Sequence, residues 1–156
     1  MKNILFVCLG NICRSPTAKA VFDYRLQQSG IKLVTDSAGT TGFHEGSPPD
    51  PRAIRAARDR GLDISTERAR VVIAEDFTRF ERIYAMDRSN LDELRRRAPA
   101  AAVARVDLLM SLAPDYGIDE VPDPYYGGED GFRQVLDMLE TAADRLIEEL
   151  SAHSRT

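Results

Sequence analysis

The segment NILFVCLGNICRSP, residues 3–16, gives the clearest indication of the fold. Its first part, NILFVC, is a short apolar run of the kind that forms a strand buried on both faces of a sheet. Small and polar residues follow at once, and the Gly-Asn pair among them tolerates unusual backbone angles. Ser15 is a good helix N-cap and Pro16 suits a first helical position, so a helix is expected from Pro16 to about Gln28. The sequence therefore predicts a strand, a tight loop and a helix in direct succession.

Three more strands and three more helices are expected along the chain. The strands are predicted at Leu33 to Ala38, Arg82 to Met86 and Ala104 to Leu108, and the helices at Pro51 to Gly61, Arg88 to Arg97 and Gly131 to Leu150. Alternating strands and helices imply right-handed crossovers and a parallel sheet with helices on both faces. We therefore expect a single α/β domain, residues 1–156, whose four-stranded parallel sheet has the order 2-1-3-4. In that order the loop after the first strand lies in the crevice where such sheets bind ligands.

The composition excludes several function classes. Of the 156 residues 43% are hydrophobic, which is enough for one domain with one core. The net charge of −4 argues against a nucleic-acid binder, and no apolar run reaches the length of a membrane span. Two cysteines do not suggest a disulfide-stapled secreted scaffold or a four-thiolate zinc site. We therefore expect a cytoplasmic protein with no metal, no nucleic-acid partner and no membrane span.

The loop after the first strand is expected to hold an anion. A tight loop that enters a helix directs successive backbone N–H groups inward, where the helix dipole adds positive potential. Arg14 adds planar donors suited to phosphate oxygens, and this setting favours the thiolate of Cys8, the nucleophilic form of cysteine. Attack of this sulfur on a bound phosphate, in line with the leaving group, gives a cysteinyl-phosphate. The loop residues expected to bind phosphate or support the loop are Leu9, Gly10, Asn11, Ile12, Cys13 and Ser15.

A cysteine followed five residues later by an arginine is a loose pattern by itself. A free cysteine such as Cys8 is more often a small buried hydrophobic residue than a nucleophile. The apolar strand before the loop and the Ser-Pro helix start after it supply the structural context that makes the pattern specific.

Five motifs make the chain resemble the low-molecular-weight protein tyrosine phosphatase family. They are VCLGNICRSPTA (7–18), DSAGT (36–40), PPDPRA (48–53), AMDRSN (85–90) and DPYYGG (123–128), in the family's order and at its spacing. The resemblance implies a hydrolase of phosphotyrosine and small aryl phosphates that needs no cofactor. Its implied partners are tyrosine-phosphorylated proteins, with a bacterial tyrosine kinase suggested among them. No oligomeric state is predicted.

The resemblance also assigns residues to catalysis and to the substrate cleft. Asp123 matches the general acid that protonates the leaving tyrosine oxygen and, as a carboxylate, then activates water. Tyr125 and Tyr126 match an aromatic wall of the cleft, and tyrosines there are phosphorylated in some members. Phe43 lies where many members have a tryptophan on the opposite rim. An Asp-Pro pair by itself is typical of an ordinary turn, so these roles depend on the resemblance.

Further residues match the family's loop support. Asn11 matches the residue that holds the loop through hydrogen bonds, with Ser37 as its expected partner, and Ser15 matches the residue that stabilises the thiolate. Glu67 lies where many members have a histidine in this network. Asp87 is expected to cap the following helix or to support the loop, rather than to transfer a proton.

Three other activities stay open on the sequence. Thioredoxin-coupled arsenate reductases need further cysteines, and none follows Cys13, but a reductase that uses an external thiol is compatible with this chain. Protein arginine phosphatases tend to have threonine at the position of Ile12, so Ile12 and the tyrosine pair favour phosphotyrosine. A non-catalytic phosphate-binding module would need neither Cys8 nor Asp123.

Cys13 has two interpretations. It lies in the same small loop as Cys8, so peroxide is predicted to link the two cysteines and so protect Cys8 from further oxidation. The alternative is that Cys13 only packs in the interior.

Overall fold

A sheet of four parallel strands organises the chain in the computed structural model, which describes residues 3–125 and 128–154. The strands are β1 (Asn3–Cys8), β2 (Val34–Gly39), β3 (Arg82–Ala85) and β4 (Arg105–Leu108). Their order is β2-β1-β3-β4, which confirms the predicted α/β class and strand order.

The central strand β1 is apolar at consecutive positions because both of its faces are covered. Side chains alternate between the two faces of a strand, so Phe6 and Leu5 point to opposite sides. Phe6 belongs to the larger core cluster, where its ring lies 4.6 Å from that of Phe22, and Leu5 belongs to the second cluster. The strand is therefore held firmly up to its last residue, Cys8.

Five helices surround the sheet in the part of the chain that the structure describes. They are α1 (Arg14–Gln28), α2 (Pro51–Arg58), α3 (Asp76–Arg79), α4 (Arg88–Arg97) and α5 (Glu129–Ser154), with short 3₁₀ turns at Leu109–Leu112 and Pro114–Tyr116. Helix α4 has the predicted bounds, whereas α2 ends before Gly61 and α5 is longer at both ends than expected. Helix α3 was not predicted, because four residues are too few for a helical periodicity.

The start of α1 differs from the expectation. The helix begins at Arg14, two residues before Pro16, and the residue that precedes it, Cys13, makes no side-chain capping bond. The prediction that Ser15 caps this helix is therefore wrong. Its hydroxyl lies instead near Cys8 Sγ and Asn11 Nδ2, so it is directed to the preceding loop.

Helix α5 packs an apolar stripe against the core. The buried residues of this stripe are Phe132, Val135, Leu136, Leu139, Ala143 and Leu146. Among the described residues, no helix is both long enough and apolar enough to cross a membrane.

Candidate active site

The loop that follows β1 forms the floor of a cavity of about 320 Å³ at the carboxyl edge of the sheet. The cavity is lined by Cys8, Leu9, Gly10, Ile12, Cys13, Arg14, Thr41, Phe43, His44, Asp123 and Tyr125. The three residues expected to carry the chemistry, Cys8, Arg14 and Asp123, thus line one cavity although more than a hundred positions separate the first from the last.

The thiol of Cys8 has a hydroxyl beside it. Cys8 is 3% exposed, and its Sγ lies 3.1 Å from Ser15 Oγ. Asn11 Nδ2 donates to Ser15 Oγ over 2.7 Å, so one lone pair of this oxygen is occupied. The hydroxyl hydrogen is then available to Cys8 Sγ or to Ala38 O, which is 3.3 Å away. When Cys8 is a thiolate, Ser15 is placed to donate to it.

Asn11 fixes the shape of the loop. Its backbone has a φ of 58°, a left-handed conformation that asparagine tolerates better than most residues. Its side chain is buried, donates to Ser37 Oγ over 2.9 Å as well as to Ser15, and accepts from the Arg70 N–H over 2.9 Å. The predicted Ser37 partner is confirmed. The contact with Arg70 was missed, because a main-chain donor leaves no signal in the residue type.

Main-chain bonds anchor both sides of the loop. The N–H groups of Thr40 and Thr41 donate to Cys8 O and Leu9 O over 2.9 and 3.0 Å. Gly39 allows this close approach, because a Cβ at that position would lie 2.9 Å from Leu9 O. On the other side, the Asp50 N–H donates to Ile12 O over 2.8 Å, which ties the loop to the start of α2.

Arg14 is held in one orientation by two acceptors. Its Nη1 donates to Asp87 Oδ2 over 2.7 Å and to Val121 O over 2.9 Å, and its side chain is only 3% exposed. Burial lowers the pKa of this guanidinium, but interactions with the acidic groups of Cys8, Asp87 and Asp123 outweigh burial, so the pKa is raised. Arg14 therefore stays charged, with its remaining donors available to an anion.

Asp87 both caps a helix and supports the loop, the two roles that the sequence predicted for it. Its Oδ1 accepts from the Asn90 N–H at the start of α4 over 2.8 Å, while Oδ2 accepts from Arg14. The carboxylate thus connects the end of β3 to the residue that would bind phosphate.

Asp123 lies at the mouth of the cavity. Its side chain is 38% exposed, and Oδ2 is 3.7 Å from Arg14 Nη2. The Tyr125 N–H donates to Asp123 Oδ1 over 3.0 Å, which orients the carboxyl group. This position leaves one carboxyl oxygen available to a substrate in the cavity.

Two exposed aromatic residues line the cavity. Phe43 is 89% exposed and Tyr125 is 37% exposed. The Arg52 guanidinium carbon lies 5.3 Å from the centre of the Tyr125 ring. Tyr126 lies outside the described residues. His44, next to Phe43, also lines the cavity and was missed by the sequence, because a lone histidine in a long loop has no distinguishing pattern.

Cys13 and Glu67 have surroundings that bear on two predictions. Burial, followed by the charge of Asp50, raises the pKa of the Cys13 thiol, so Cys13 is protonated at neutral pH. Cys8 and Cys13 are both free thiols here, and their oxidative linkage stays a prediction.

Glu67 pairs with a lysine outside the phosphate-binding loop, since its Oε2 lies 3.7 Å from Lys19 Nζ. The Asn11 side chain accepts its hydrogen bond from the main chain of Arg70, not from the side chain at position 67. Within residues 3–125 and 128–154, no group of three metal-ligating side chains lies together.

Comparison with known proteins finds this fold and sequence among phosphatases. A family model described as low molecular weight phosphotyrosine protein phosphatase matches residues 3–156. A low molecular weight protein-tyrosine-phosphatase of Streptomyces coelicolor is 44% identical over 149 residues, covering 92% of this chain and 90% of that protein.

Two solved structures are similar over nearly the whole chain. A protein tyrosine phosphatase from Entamoeba histolytica, crystallised with Hepes in its active site, has a TM-score of 0.92 at 40% identity and 99% coverage of both chains. A Drosophila arginine phosphatase has a TM-score of 0.90 at 30% identity, with coverage of 96% of this chain and 98% of that one. The fold therefore occurs in phosphatases named for two different phosphorylated residues.

Proposed function

The chain belongs to the low molecular weight phosphotyrosine protein phosphatase family, and we propose that Cys8, Arg14 and Asp123 carry out the family's reaction in it. The reaction class is the hydrolysis of phosphotyrosine in proteins. The observation that supports the assignment is that these three side chains line one cavity at the start of a helix, with the Ser15 hydroxyl 3.1 Å from the sulfur.

In the first step the substrate phosphate binds to the loop and the Cys8 sulfur attacks phosphorus. The backbone N–H groups and Arg14 hold the three non-bridging oxygens, so the bond to the tyrosine oxygen points away from the sulfur. A sulfur–phosphorus bond forms as the phosphorus–oxygen bond breaks, and the pair of electrons leaves with the phenolic oxygen. Because the donors are already in place, they stabilise the transition-state charge without reorganising.

Asp123 supplies the proton that this leaving group requires. The conjugate acid of a phenolate has a pKa near 10, so its departure is slow at neutral pH without a proton donor. The carboxyl group of Asp123 lies at the mouth of the cavity, where the tyrosine oxygen would be. Proton transfer leaves Asp123 as a carboxylate and releases tyrosine.

The second step reverses these roles. The Asp123 carboxylate takes a proton from a water molecule, whose oxygen attacks the phosphorus of the cysteinyl-phosphate. The sulfur–phosphorus bond breaks, inorganic phosphate is released and the Cys8 thiolate is restored, with the Ser15 hydroxyl as its hydrogen-bond donor. Asp123 is again protonated, so the cycle closes.

Hydrolysis of p-nitrophenyl phosphate and of a phosphotyrosine peptide tests these assignments. Cys8→Ser is expected to abolish turnover of both, because a neutral hydroxyl is a weak nucleophile. Arg14→Lys is expected to raise KM and lower kcat, since lysine lacks the planar pair of donors. Asp115→Asn, which alters an exposed carboxylate near α5, is the matched control and should leave kcat unchanged. Metal-independent turnover by Cys8→Ser would overturn the mechanism.

Phosphoarginine is the alternative substrate that the Drosophila relative suggests. Ile12 lines the cavity of this chain, and its apolar side chain favours an aromatic ring over a guanidinium. We therefore infer a preference for phosphotyrosine. A higher kcat/KM for a phosphoarginine peptide than for the matched phosphotyrosine peptide would reverse this assignment. Oxidation of an added low-molecular-weight thiol that depends on arsenate would favour the alternative of an arsenate reductase.

We propose that the substrates are cytoplasmic proteins, with a tyrosine kinase among them. The support for this location is chemical, since a reducing compartment keeps a nucleophilic thiol such as that of Cys8 in its active, reduced form. A substrate-trapping Asp123→Ala variant, incubated with cell extract, should retain tyrosine-phosphorylated proteins. Vanadate, a phosphate analogue that competes for the loop, should release them. Recovery of only unphosphorylated proteins would contradict the proposal.

A further inference from the structure

A groove lined by arginines lies beside the active-site cavity. Its basic residues are Arg52, Arg55 and Arg58 of α2 and Arg133 of α5, around a cavity of about 270 Å³. The three arginines of α2 recur at every third position, so they lie along one face of the helix. We call this cavity the arginine groove.

Two of the four arginines in the arginine groove already have carboxylate partners. Arg52 pairs with Asp50, and Arg133 pairs with Glu129 and Asp130. Within the described part of the chain, neither Arg55 nor Arg58 has a carboxylate at ion-pair distance. Both side chains are exposed. Two guanidinium groups are therefore available to an anion from outside the chain.

The arginine groove shares a wall with the active site. The Arg52 guanidinium carbon lies 5.3 Å from the ring centre of Tyr125, which lines the active-site cavity. The same carbon lies 5.0 Å from the ring centre of Phe132, which lines the groove. Asp50 holds Arg52 in this position through a contact of 2.9 Å. A peptide that leaves the active-site cavity over Tyr125 would enter the groove directly.

We propose that the arginine groove binds acidic side chains of the substrate protein, close in sequence to the phosphotyrosine. The proposal rests on the phosphatase function given above. Each residue of an extended chain advances about 3.3–3.6 Å, so two to four residues span about 7–14 Å. On a peptide that passes over Tyr125, a carboxylate at that separation from the phosphotyrosine is the one expected to pair with Arg55 and Arg58. The guanidinium groups pair with carboxylates and take no part in the bond-breaking steps. The groove therefore selects substrates by affinity, and its effect falls on KM.

Matched phosphotyrosine peptides provide the test. One set has glutamate two to four residues before the phosphotyrosine, a second has it after, and the reference set has glutamine at the same positions. Kinetics with the native chain give KM and kcat, while fluorescence anisotropy with the Cys8→Ser variant gives Kd without turnover. The variant with both Arg55→Gln and Arg58→Gln removes the unpaired charges. Its matched control, Arg95→Gln with Arg96→Gln, removes two charges from the last turn of α4, at the far end of that helix from Asp87.

The native chain is expected to bind one glutamate set about fivefold more tightly than the glutamine set at low salt, since exposed ion pairs contribute up to about 1 kcal/mol each. The preference should shrink at higher ionic strength, because salt screens exposed charges. Loss of the two groove charges should abolish the preference with kcat unchanged, whereas the control variant should keep it.

Equal KM and Kd for glutamate and glutamine peptides would overturn the proposal. So would an equal loss of preference in the groove variant and in the control, because net charge alone would then explain the effect. Hydrolysis of p-nitrophenyl phosphate, which is too small to reach the groove, separates this result from a failure of the phosphatase function. Absence of that hydrolysis would refute the catalytic assignment. The anisotropy measurement would still show whether the arginine groove binds glutamate peptides more tightly than glutamine peptides.

Discussion

Replacing Asn11 by alanine removes the side chain that holds the phosphate-binding loop together. Asn11 is 2% exposed and makes three hydrogen bonds, two donated to Ser15 and Ser37 and one accepted from the Arg70 N–H. Its backbone also has a φ of 58°, which alanine adopts less readily than asparagine. The substitution therefore affects the stability of the fold and the surroundings of the nucleophile together.

The structure sets the size of both effects. Each of the three buried hydrogen bonds contributes about 1 kcal/mol net, and the left-handed backbone costs alanine about 1 kcal/mol more. We expect Asn11→Ala to lower the free energy of unfolding by about 4 kcal/mol, which for a chain of this length lowers Tm by roughly 10 °C. Without Asn11, Ser15 is no longer oriented towards Cys8. A hydrogen bond to a charged group contributes about 1.5–3 kcal/mol, so kcat/KM should fall about 10- to 100-fold.

Urea unfolding and p-nitrophenyl phosphate kinetics measure the two effects on the same samples. Asn11→Gly separates the contributions, because glycine keeps the left-handed backbone without strain and lacks the side chain. It should lose about 3 kcal/mol of stability. Asn3→Ala, which removes a single exposed bond of 3.4 Å, is the control and should change stability by less than about 0.5 kcal/mol. A loss below about 1 kcal/mol in Asn11→Ala, or native stability in Asn11→Gly, would refute the reasoning.

Three further predictions concern catalysis, oxidation and pH. Asp123→Asn should lower kcat about 10²- to 10⁴-fold for phosphotyrosine and far less for an aryl phosphate with a good leaving group, and equal losses would exclude it as the acid. Mild peroxide should produce a Cys8–Cys13 disulfide that mass spectrometry detects. Because burial raises the pKa of the Cys13 thiol, its reactive thiolate becomes more abundant as pH rises, so the disulfide should form faster at higher pH. A singly oxidised Cys8 with no linkage to Cys13 would contradict this prediction. Burial, only partly opposed by Lys19, raises the pKa of Glu67, so its contribution to stability is present below the unfolded pKa and is lost as pH rises through the folded pKa. Glu67→Gln should therefore have a higher free energy of unfolding than the native chain at neutral pH, and the same value in acid. A lower free energy of unfolding for this variant at neutral pH would show that the ion pair between Lys19 and Glu67 outweighs the cost of burial.

Much of the fold follows from local sequence patterns. The apolar run that ends at Cys8 is typical of a strand covered on both faces, and β1 is the buried central strand of the sheet. The stretch that begins with Arg88 has a capping aspartate before it and ends at a basic turn, and α4 has the predicted bounds. Both signals lie within a few residues of the element they define, so no tertiary information is needed to interpret them.

The sequence predictions fail where a side chain forms its hydrogen bonds within the candidate site and not with its own helix. Ser15 has the residue type of an N-cap, but its oxygen is engaged by Asn11 and lies beside Cys8, so it does not cap α1. The contacts of Arg14 with Asp87 and the Val121 carbonyl join segments far apart in the chain, and no local pattern encodes them. Residue types thus predicted which groups line the cavity, while the hydrogen-bond partners of those groups depend on tertiary packing.

Hydrogen bonds hold the main chain at Val121 in place, and this affects the catalytic cycle. Its N–H donates to Met86 O over 2.8 Å and its carbonyl accepts from Arg14 over 2.9 Å, so the main chain is attached on both sides. Asp123 follows only two residues later, and a tether of two residues spans at most about 7 Å. The entropy of placing the proton donor is therefore lost once, when the chain folds, and not again in every turnover. An acid carried on a long mobile lid would repeat that loss with each substrate molecule.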